Sequence, residues 1–297
     1  MVEQLGLIGC GLMGGSFALA LKRAGRVRRV VGYSATARSR ERALALGVID
    51  QVADSAAQAT QGSDLVLLAV PVAATPSTLA ALRDAIGPHA LVMDVGSTKG
   101  DVVQAARAAL GPALAQFVPA HPIAGKESAG IDHAEASLYD DRHCILTPLA
   151  DNPSDLVARA QALWQAVGCR VTQMTPQAHD AAFAAVSHLP HLLAYAYIHG
   201  LASQRECDAW LAIAGPGFRD FSRIAASDPV VWRDILLANR DEVLRQSAAF
   251  RQALATLEGA VQAGDGAVLQ QLIAQASALR APWQLGSASP MPPTPED

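Results

Sequence analysis

Three short segments of the sequence carry polar side chains of the types that acid–base chemistry requires. His121 comes directly after a predicted strand at residues 116–119, and Ser97 lies at residues 94–100, where another predicted strand gives way to a helix. The third segment, residues 187–191, lies in a helical stretch. A neutral imidazole can accept a proton near neutral pH. Because parallel strands end at the same edge of a sheet, where α/β proteins bind ligands, we expect His121 and Ser97 to lie at that edge.

The third segment combines two histidines with a proline. Pro190 inside a helix costs roughly 3 kcal/mol, so we expect a kink or a break there. His188 and His191 are three residues apart and face the same side only if the helix is undistorted. We expect His188 to be structural.

A glycine-rich turn near the N-terminus has the spacing of a dinucleotide-binding loop. Gly9, Gly11 and Gly14 follow a short apolar run and precede a predicted helix. In such a loop the first glycine permits a tight turn, the second lets the backbone approach the pyrophosphate, and the third allows close packing of helix on strand. The start of the helix offers N–H groups to phosphate. The predicted cofactor-binding residues are Gly9, Gly11, Leu12, Met13, Gly14, Ser34, Arg38, Val70 and Pro71.

The choice between NAD and NADP is read near the end of the second predicted strand. An NAD-specific loop usually has Asp or Glu there, about 20 residues beyond the glycines. This sequence has Ser34, and Thr36, Arg38 and Arg40 follow it. These side chains could hold a 2′-phosphate, so NADP is favoured and NAD remains possible. The alternative is that the two arginines are solvated helix positions.

Strand-like and helix-like segments alternate as far as residue 174. The run at residues 64–70 is almost continuously apolar, as expected of a strand buried on both faces. Such alternation indicates a parallel sheet covered by helices on both sides. We predict an α/β fold with a Rossmann-type, doubly wound, mostly parallel sheet at residues 1–174. An all-helical C-terminal domain follows at residues 175–284, and then a disordered tail at residues 285–297.

The composition narrows the possible partners and the compartment. The 297 residues carry a formal net charge of −4 without a basic stripe, so nucleic acid is not expected as a partner. The mean hydropathy is +0.21, but no uninterrupted apolar run approaches the roughly 18 residues of a spanning helix, so no membrane association is expected. The four cysteines form no C-x-x-C pair, so we expect reduced thiols and no metal site. The N-terminus has no export signal, and we expect a cytoplasmic protein.

Together these segments resemble the prephenate/arogenate (cyclohexadienyl) dehydrogenase family, from Gly9 to about Arg240. The glycine loop is shared by many dehydrogenases, whereas His-Pro-Ile-Ala-Gly at residues 121–125 and Phe-Arg-Asp-Phe-Ser-Arg at residues 218–223 are far more specific. The resemblance is carried by residues 9–16, 96–99, 121–125, 187–191, 217–225, 227–229 and 232–234.

The resemblance implies oxidative decarboxylation of prephenate to 4-hydroxyphenylpyruvate, with hydride transfer to NAD(P), in tyrosine biosynthesis. Arogenate, which would give tyrosine directly, is the alternative substrate. His121 is implied to accept the hydroxyl proton, and Ser97 to orient His121 and contact the substrate hydroxyl. From the residues alone, Ser97 could also cap the predicted helix at residues 98–110. Lys99 could neutralise phosphate or substrate charge or, as an equally good alternative, be solvated.

The substrate of this family carries carboxylates, and the resemblance assigns Arg223 and His191 to bind it. A guanidinium grips a carboxylate at two points, although Arg223 could instead form a surface salt bridge with a nearby aspartate. Glu127 is a candidate partner for Arg223 in the empty site, and Trp232 a candidate pocket residue. Lys126 stands where the family commonly has Thr, and an inward-pointing lysine would favour the dicarboxylate prephenate. A further departure is Gly-Pro-Gly at residues 215–217, where the family often has a run of glycines.

Two other functions compete with this interpretation. One is a different two-domain reductase, of the β-hydroxyacid dehydrogenase or pyrroline-5-carboxylate reductase type, which typically uses a lysine or threonine of the helical domain. The other is a non-catalytic NAD(P)-sensing or scaffold protein. The resemblance also implies a homodimer through the helical domain. A stripe of Phe250, Leu254, Leu257 and Val261 has helical spacing, and we expect it to pack in a core, with dimer contact as the alternative.

Overall fold

The computed structural model describes residues 1–126 and 128–284, and it contains a parallel sheet of five strands in the order β3-β2-β1-β4-β5. All four neighbouring pairs are parallel, so the carboxyl ends of the strands lie at one edge. The predicted α/β, Rossmann-type fold is confirmed. The strands are β1 (Val2–Ile8), β2 (Val27–Tyr33), β3 (Gln51–Val52), β4 (Leu65–Leu68) and β5 (Leu91–Asp94).

Helices cover both faces of this sheet, and successive strand residues enter two different cores. Leu65 and Leu67 of β4 belong to one buried cluster, whereas Val66 and Leu68 belong to the other. All four residues are buried, which explains why this strand is an uninterrupted apolar run. The helices of this part are α1 (Leu12–Arg23), α2 (Ala37–Ala45), α3 (Ala56–Thr60), α4 (Thr75–Leu82), α5 (Gly100–Ala109) and α6 (Ser154–Ala166).

A second sheet of three strands adjoins β5, in the order β6-β7-β8. Its strands are β6 (Ala120–Pro122), β7 (His143–Leu146) and β8 (Arg170–Gln173). The predicted strand at residues 116–119 was misplaced, because there only Phe117 forms a bridge, to Val92 of β5. His121 therefore lies within β6, antiparallel to β7, instead of following a strand. The backbone carbonyl of Val92 accepts a hydrogen bond from the Val118 N–H at 2.9 Å, so the start of β6 is held beside β5.

From Pro176 to residue 284, the described part of the chain consists of helices joined by turns. One continuous stretch, Pro176–Ala202, combines α7 (Pro176–Phe183), a π-helical turn (Ala184–His188) and α8 (Leu189–Ala202). The break expected at Pro190 takes the form of that π turn, which ends at His188, two residues before the proline. The remaining helices are α9 (Cys207–Ala212), α10 (Pro216–Ser222), α11 (Pro229–Ala238), α12 (Arg240–Ala263) and α13 (Gly266–Arg280).

Within the described residues, Pro176–Ala202 is the one helical stretch whose length and mean hydropathy of 1.2 would suit a membrane span. The sequence had shown no such apolar run, because polar residues interrupt it. His179 and Asp180 belong to this stretch. Both are buried, and both form hydrogen bonds with the sheet-forming part of the chain. Length and composition alone are therefore weak grounds for a membrane helix here.

The chain divides into two compact units, Met1–Val243 and the part from Leu244 onward. All side chains of the candidate site lie in the first unit. The tail predicted at residues 285–297 lies outside the described residues.

The apolar stripe of the second unit does not form a core. Phe250, Leu254 and Val261 are 37%, 41% and 63% exposed, and Leu257 is only partly buried. The expectation of core packing was wrong because these side chains lie on an open face of α12. An exposed face of this kind is typical of a surface that another chain covers.

Candidate active site

The glycine loop joins β1 to α1 at the carboxyl edge of the sheet. Gly9 has φ +103°, and a Cβ added there would lie 2.2 Å from the backbone oxygen of Ala69, after β4. A Cβ on Gly14 would lie 2.4 Å from the Gly9 oxygen. A Cβ on Gly11, at the N-terminus of α1, would meet no atom within 4 Å. The backbone thus packs tightly below the loop and leaves space above Gly11 that fits a pyrophosphate beside the α1 N–H groups.

Ser34 and Arg40 lie together after β2, next to the glycine loop. The Ser34 hydroxyl accepts a 3.4 Å hydrogen bond from the backbone N–H of Cys10, and the Arg40 guanidinium donates to the Ser34 carbonyl at 2.7 Å. Arg40 also lies over the Tyr33 ring, 5.6 Å from its centroid. Arg38 is exposed in the first turn of α2. Between the two arginines, it is Arg40 that contacts the edge where a ribose would lie.

At the end of β4, Val70 is partly buried and Pro71 is exposed. Both directly follow Ala69, whose backbone packs against Gly9. Their position at the carboxyl edge is the one expected of residues that line a dinucleotide site.

A buried ion pair fixes the segment between β5 and α5. Lys99 is fully buried, and its ammonium donates to the Asp94 carboxylate and, at 2.8 Å, to the Ala120 carbonyl. The other Asp94 oxygen accepts the Ala120 N–H at 3.0 Å. Both interpretations of Lys99 were therefore wrong, because its charge is neutralised by a carboxylate of the protein itself and neither by solvent nor by a phosphate or substrate. This pair holds the residue that precedes His121 in the chain.

Ser97 lies in this fixed segment, but it is not a helix cap. The helix predicted from residue 98 begins at Gly100, two residues later. Its first N–H groups, those of Lys99 and Gly100, donate to the Asp180 carboxylate at 2.8 and 2.7 Å. A side chain from α7 therefore performs the capping function, and the partly buried Ser97 side chain is left for another role.

His121 lies at one end of a chain of buried hydrogen bonds. Its Nδ1 lies 2.8 Å from Nε2 of His179, and Nδ1 of His179 lies 2.8 Å from Oδ1 of Asp180. Burial lowers the pKa of His121 well below its ordinary value of 6.5, and the nearby His179, Lys99 and His188 lower it further. Burial also lowers the pKa of His179, and its hydrogen bond to Asp180 opposes that shift. His121 is therefore a neutral imidazole at neutral pH and is able to accept a proton.

His188 is buried beside this chain. Its Nδ1 lies 3.1 Å from the Asn239 amide nitrogen, which also donates to the Asp180 carbonyl at 2.8 Å. Burial lowers the pKa of His188 to about 4. The amide of Asn239 thus fixes a neutral ring in place.

His191 and Trp232 form a stacked pair on the helical side of the site. Their ring centroids are 3.4 Å apart and their planes are inclined by 18°. Nδ1 of His191 lies 2.9 Å from the Ser187 carbonyl, which can only accept, so Nδ1 carries the proton and Nε2 has a free lone pair. Burial lowers the pKa of His191, and the charge of Arg223 lowers it as well.

These electrostatic effects connect the histidines with Arg223. His188 lowers the pKa of His121, His191 lowers that of His188, and the guanidinium of Arg223 lowers that of His191. Arg223 is exposed at the start of a short 3₁₀ turn after α10. His121, His188, His191 and Arg223 thus form a series of interacting side chains within the first unit.

Lys126 is oriented differently from what its substrate assignment requires. Its ammonium forms a 2.9 Å ion pair with Glu135 and donates to the His133 carbonyl at 3.1 Å. In this arrangement its charge is already paired. Glu127, the adjacent candidate, lies outside the described residues.

Sequence reasoning missed three members of the site: His179, Asp180 and Asn239. A signal for the first two was available, because a histidine followed by an aspartate at the start of an otherwise apolar helix is unusual enough to notice. No local pattern distinguishes Asn239, since its contacts are with residues 51 and 59 positions away.

The fold and the site together define the class of nicotinamide-dependent dehydrogenases that join a Rossmann-type domain to a helical one. Two family models match the chain: the prephenate dehydrogenase nucleotide-binding domain at residues 17–173 and the prephenate dehydrogenase dimerization domain at residues 175–275. The chain belongs to the prephenate dehydrogenase family.

Relatives with known names agree with this membership. Prephenate dehydrogenase of Bacillus subtilis is 37% identical over 82% of the chain, which spans 66% of that protein, just under two thirds. Cyclohexadienyl dehydrogenase of Zymomonas mobilis is 36% identical over 89% of this chain and 90% of its own length.

Solved structures give the same result. Prephenate dehydrogenase from Aquifex aeolicus, in complex with hydroxyphenyl propionate and NAD+, superposes with a TM-score of 0.89 at 34% identity, over 95% of this chain and 98% of that one. Synechocystis arogenate dehydrogenase superposes with a TM-score of 0.82 at 26% identity, over 94% and 99% of the two chains. A Mycobacterium tuberculosis 3-hydroxyisobutyrate dehydrogenase, of the competing reductase type, reaches 0.50 at 14% identity over 94% of both chains, a likeness of fold alone.

Proposed function

We propose that this protein oxidatively decarboxylates prephenate to 4-hydroxyphenylpyruvate, with hydride transfer to NAD(P), in tyrosine biosynthesis. The observation that carries the proposal is a neutral, buried His121 in β6, next to Ala120, whose backbone is hydrogen-bonded to Asp94 and Lys99 at the carboxyl end of β5. The names of the relatives, prephenate and cyclohexadienyl dehydrogenases, support the same substrate class.

In the proposed mechanism, Nε2 of His121 accepts the proton of the substrate hydroxyl. Ser97 supplies a hydroxyl that both donates and accepts, and we assign it to orient the substrate oxygen toward His121. A bound nicotinamide supplies a hydride acceptor for the carbinol carbon. Loss of carbon dioxide makes the ring aromatic, and aromaticity makes the reaction effectively irreversible.

The helical side of the site binds the acidic groups of the substrate. Arg223 offers a guanidinium that grips a carboxylate at two points. His191 offers the free lone pair of Nε2 to a hydroxyl or acid proton, and Trp232 stacks on its ring. We keep Lys126 and Glu127 as secondary candidates; Lys126 would have to leave Glu135 to contact a ligand.

The choice between prephenate and arogenate depends on the part of the substrate that differs, an oxo group in one and an amino group in the other. Relatives of both kinds resemble this chain, including the Synechocystis arogenate dehydrogenase. We favour prephenate, and arogenate is the second candidate.

For the cofactor we propose NADP in preference to NAD. The segment after β2 has Ser34 where an NAD-specific protein usually has a carboxylate, and Arg40 lies against it. The Aquifex aeolicus structure contains NAD+, so the preference is a point on which this chain could differ from a relative.

We also propose a cytoplasmic homodimer. The residues from 175 to 275 match a dimerization domain, and large apolar side chains of this part, such as Ile213, Leu237 and Val261, are more than 60% exposed. The four cysteines are free thiols, three of them buried, which agrees with a reducing compartment. Light scattering coupled to gel filtration should give the mass of a dimer; a monomer at micromolar concentration would contradict this part of the proposal.

The deciding experiment compares kcat/KM for prephenate and arogenate, each with NAD+ and NADP+, and identifies the product. We expect prephenate with NADP+ to be the best pair and 4-hydroxyphenylpyruvate and carbon dioxide to form in equal amounts. The His121→Ala variant should lower turnover by roughly 10²-fold or more while it binds the cofactor normally. Turnover of short β-hydroxyacids without turnover of either cyclohexadienol would overturn the assignment.

A further inference from the structure

His121 does not act alone: two side chains of α7 continue its hydrogen bonding away from the substrate side. The chain runs from Nδ1 of His121 to Nε2 of His179 at 2.8 Å, and from Nδ1 of His179 to Asp180 at 2.8 Å. His179 is fully buried, and His121 and Asp180 are 9% and 7% exposed. Water therefore competes little for these hydrogen bonds.

The protonation state of each group in this chain can be derived in order, starting from Asp180 and ending at His121. Burial opposes ionisation of Asp180, but hydrogen bonds from His179 and from the Lys99 and Gly100 N–H groups prevail and lower its pKa. An ionised carboxylate can only accept hydrogen bonds, so Nδ1 of His179 carries a proton and donates a hydrogen bond to Asp180. In a neutral His179 ring, Nε2 then has the lone pair, and Nδ1 of His121 must be the donor.

This order leaves Nε2 of His121 as the atom with a free lone pair. The opposite tautomer would place a proton on Nε2 and leave two lone pairs facing each other between the two rings. We propose that His179 and Asp180 are positioning residues of the dehydrogenase, which hold His121 as the Nδ1–H tautomer and stabilise its imidazolium once Nε2 has accepted the substrate proton. This inference rests on the proposed function for its catalytic part, and on geometry alone for the tautomer.

The protonated form of His121 needs a nearby negative charge to stabilise it. A protonated His121 is unfavourable where it lies, because burial and the electrostatic interactions with His179, Lys99 and His188 all lower its pKa. The nearby Asp94 carboxylate is already paired with the Lys99 ammonium, so it offers little compensation for a second positive charge. Asp180 is the ionised carboxylate joined to His121 through hydrogen bonds, and its charge polarises His179 toward the developing cation.

Asp180 also fixes where this chain lies. The same carboxylate accepts the N–H groups of Lys99 and Gly100 at the start of α5. The backbone carbonyl of Asp180 accepts from Asn239. The helical part and the sheet edge that carries Ser97 are thereby held to the same residue.

The first test measures the tautomer directly. In full-length protein with ¹⁵N-labelled histidine, NMR at pH 7.5 should show His121 protonated at Nδ1 and unprotonated at Nε2, with the signal assigned from a His121→Asn variant. The result should not depend on whether the enzyme turns over prephenate. A wild-type His121 protonated at Nε2 would overturn the proposal even if the proposed function holds.

The second test is kinetic and uses variants that separate positioning from folding. His179→Leu removes the acceptor for His121 and should lower kcat by roughly 10²-fold, with KM for prephenate changed by no more than about threefold. His179→Gln retains an acceptor and should recover about tenfold of that loss. Asp180→Asn should lower kcat and add a second, Nε2-protonated His121 signal in the NMR spectrum.

Gln177→Ala, at an exposed position of the same helix, is the matched control and should leave kcat and the spectrum unchanged. A structural role alone would lower the thermal midpoint and the active fraction without changing the tautomer or separating kcat from KM. If His179→Leu fails to fold, the tautomer signals in the wild-type and Asp180→Asn spectra decide whether the proposal holds. If no cyclohexadienol is turned over, the proposed function fails while the tautomer assignment is still judged by NMR.

Discussion

The ring of Trp232 lies flat on the ring of His191, with centroids 3.4 Å apart and planes inclined by 18°. The pair joins α11 to the first turn of α8, which follows the π turn. The backbone carbonyl of Ser187, in the π turn, accepts a hydrogen bond from the Nδ1–H of His191. One face and one nitrogen of the imidazole are therefore fixed, so that Nε2 is presented in a single direction. π turns inside helices frequently occur at functional sites, and this one aims His191.

Loss of the stacking partner should weaken substrate binding more than cofactor binding. Aromatic pairs contribute about 0.5–1.5 kcal/mol beyond the area that they bury, so Trp232→Ala should raise KM for prephenate by about 2–10-fold. Trp232→Phe should recover most of this effect. Steady-state kinetics is the measurement, and Trp210→Ala, at a 42% exposed position of α9, is the control that should not change KM. An unchanged KM in Trp232→Ala would separate the stacked pair from substrate binding.

Arg223 should determine affinity for the carboxylated substrate. A hydrogen bond to a charged group contributes about 1.5–3 kcal/mol, so Arg223→Ala should raise KM on the order of 10–100-fold, with the dissociation constant for the cofactor unchanged. Arg223→Lys should recover only part of this loss because it lacks the two-point grip. Arg219→Ala, four residues earlier in an exposed ion pair with Asp220, should behave as wild type. Equal kinetics for the two alanine variants would contradict the assignment.

The glycine loop allows phosphate approach to be separated from folding. Gly11→Ala places a methyl group in open space, so the thermal midpoint should stay within a degree or two, roughly the effect of a surface exchange, while cofactor affinity falls at least about tenfold. Gly14→Ala forces a methyl group to within 2.4 Å of the Gly9 oxygen and should destabilise the fold by about 1–3 kcal/mol. Fluorescence titration and thermal unfolding measure the two effects. A Gly11→Ala protein that binds the cofactor normally would show that no pyrophosphate lies there.

The buried histidines should make the protein less stable in mild acid. His188 has a folded-state pKa of about 4 and an ordinary pKa of 6.5, so the unfolded chain binds its proton first as the pH falls. Its contribution to stability is complete above pH 6.5 and is lost as the pH falls toward 4, about 2 kcal/mol between pH 8 and pH 5. His121, His179 and His191 have lowered pKa values and act in the same direction.

Chemical denaturation from pH 5 to pH 8 measures this effect. The His188→Gln variant should be less stable at pH 8 but should have a flatter pH dependence than wild type. His89→Gln, at an exposed position, should leave the dependence unchanged. A wild-type free energy of unfolding that is constant down to pH 5 would mean that these rings titrate alike in the folded and unfolded chains.

The sequence by itself determined the features that depend on local spacing. Three glycines between a strand and a helix specify a dinucleotide loop, and the uninterrupted apolar run of β4 specifies a strand buried on both faces. Pro190 in an apolar helical stretch indicated a break, because proline lacks the N–H that a helix needs. The family could be recognised from short motifs and their order along the chain, because each motif contains side chains that the site of this family requires.

Only the tertiary structure decided how distant residues share their hydrogen bonds and charges. Lys99 is a fully buried partner of Asp94, and Asp180, 80 positions after Gly100, caps α5 in place of Ser97. His179 reaches His121 over 58 positions. Hydrogen bonds act over about 3 Å regardless of sequence separation, so no local pattern can record them. The spacing of Phe250, Leu254 and Val261 predicted an apolar helix face, but spacing does not show what packs against that face. The structure shows that these three side chains are exposed.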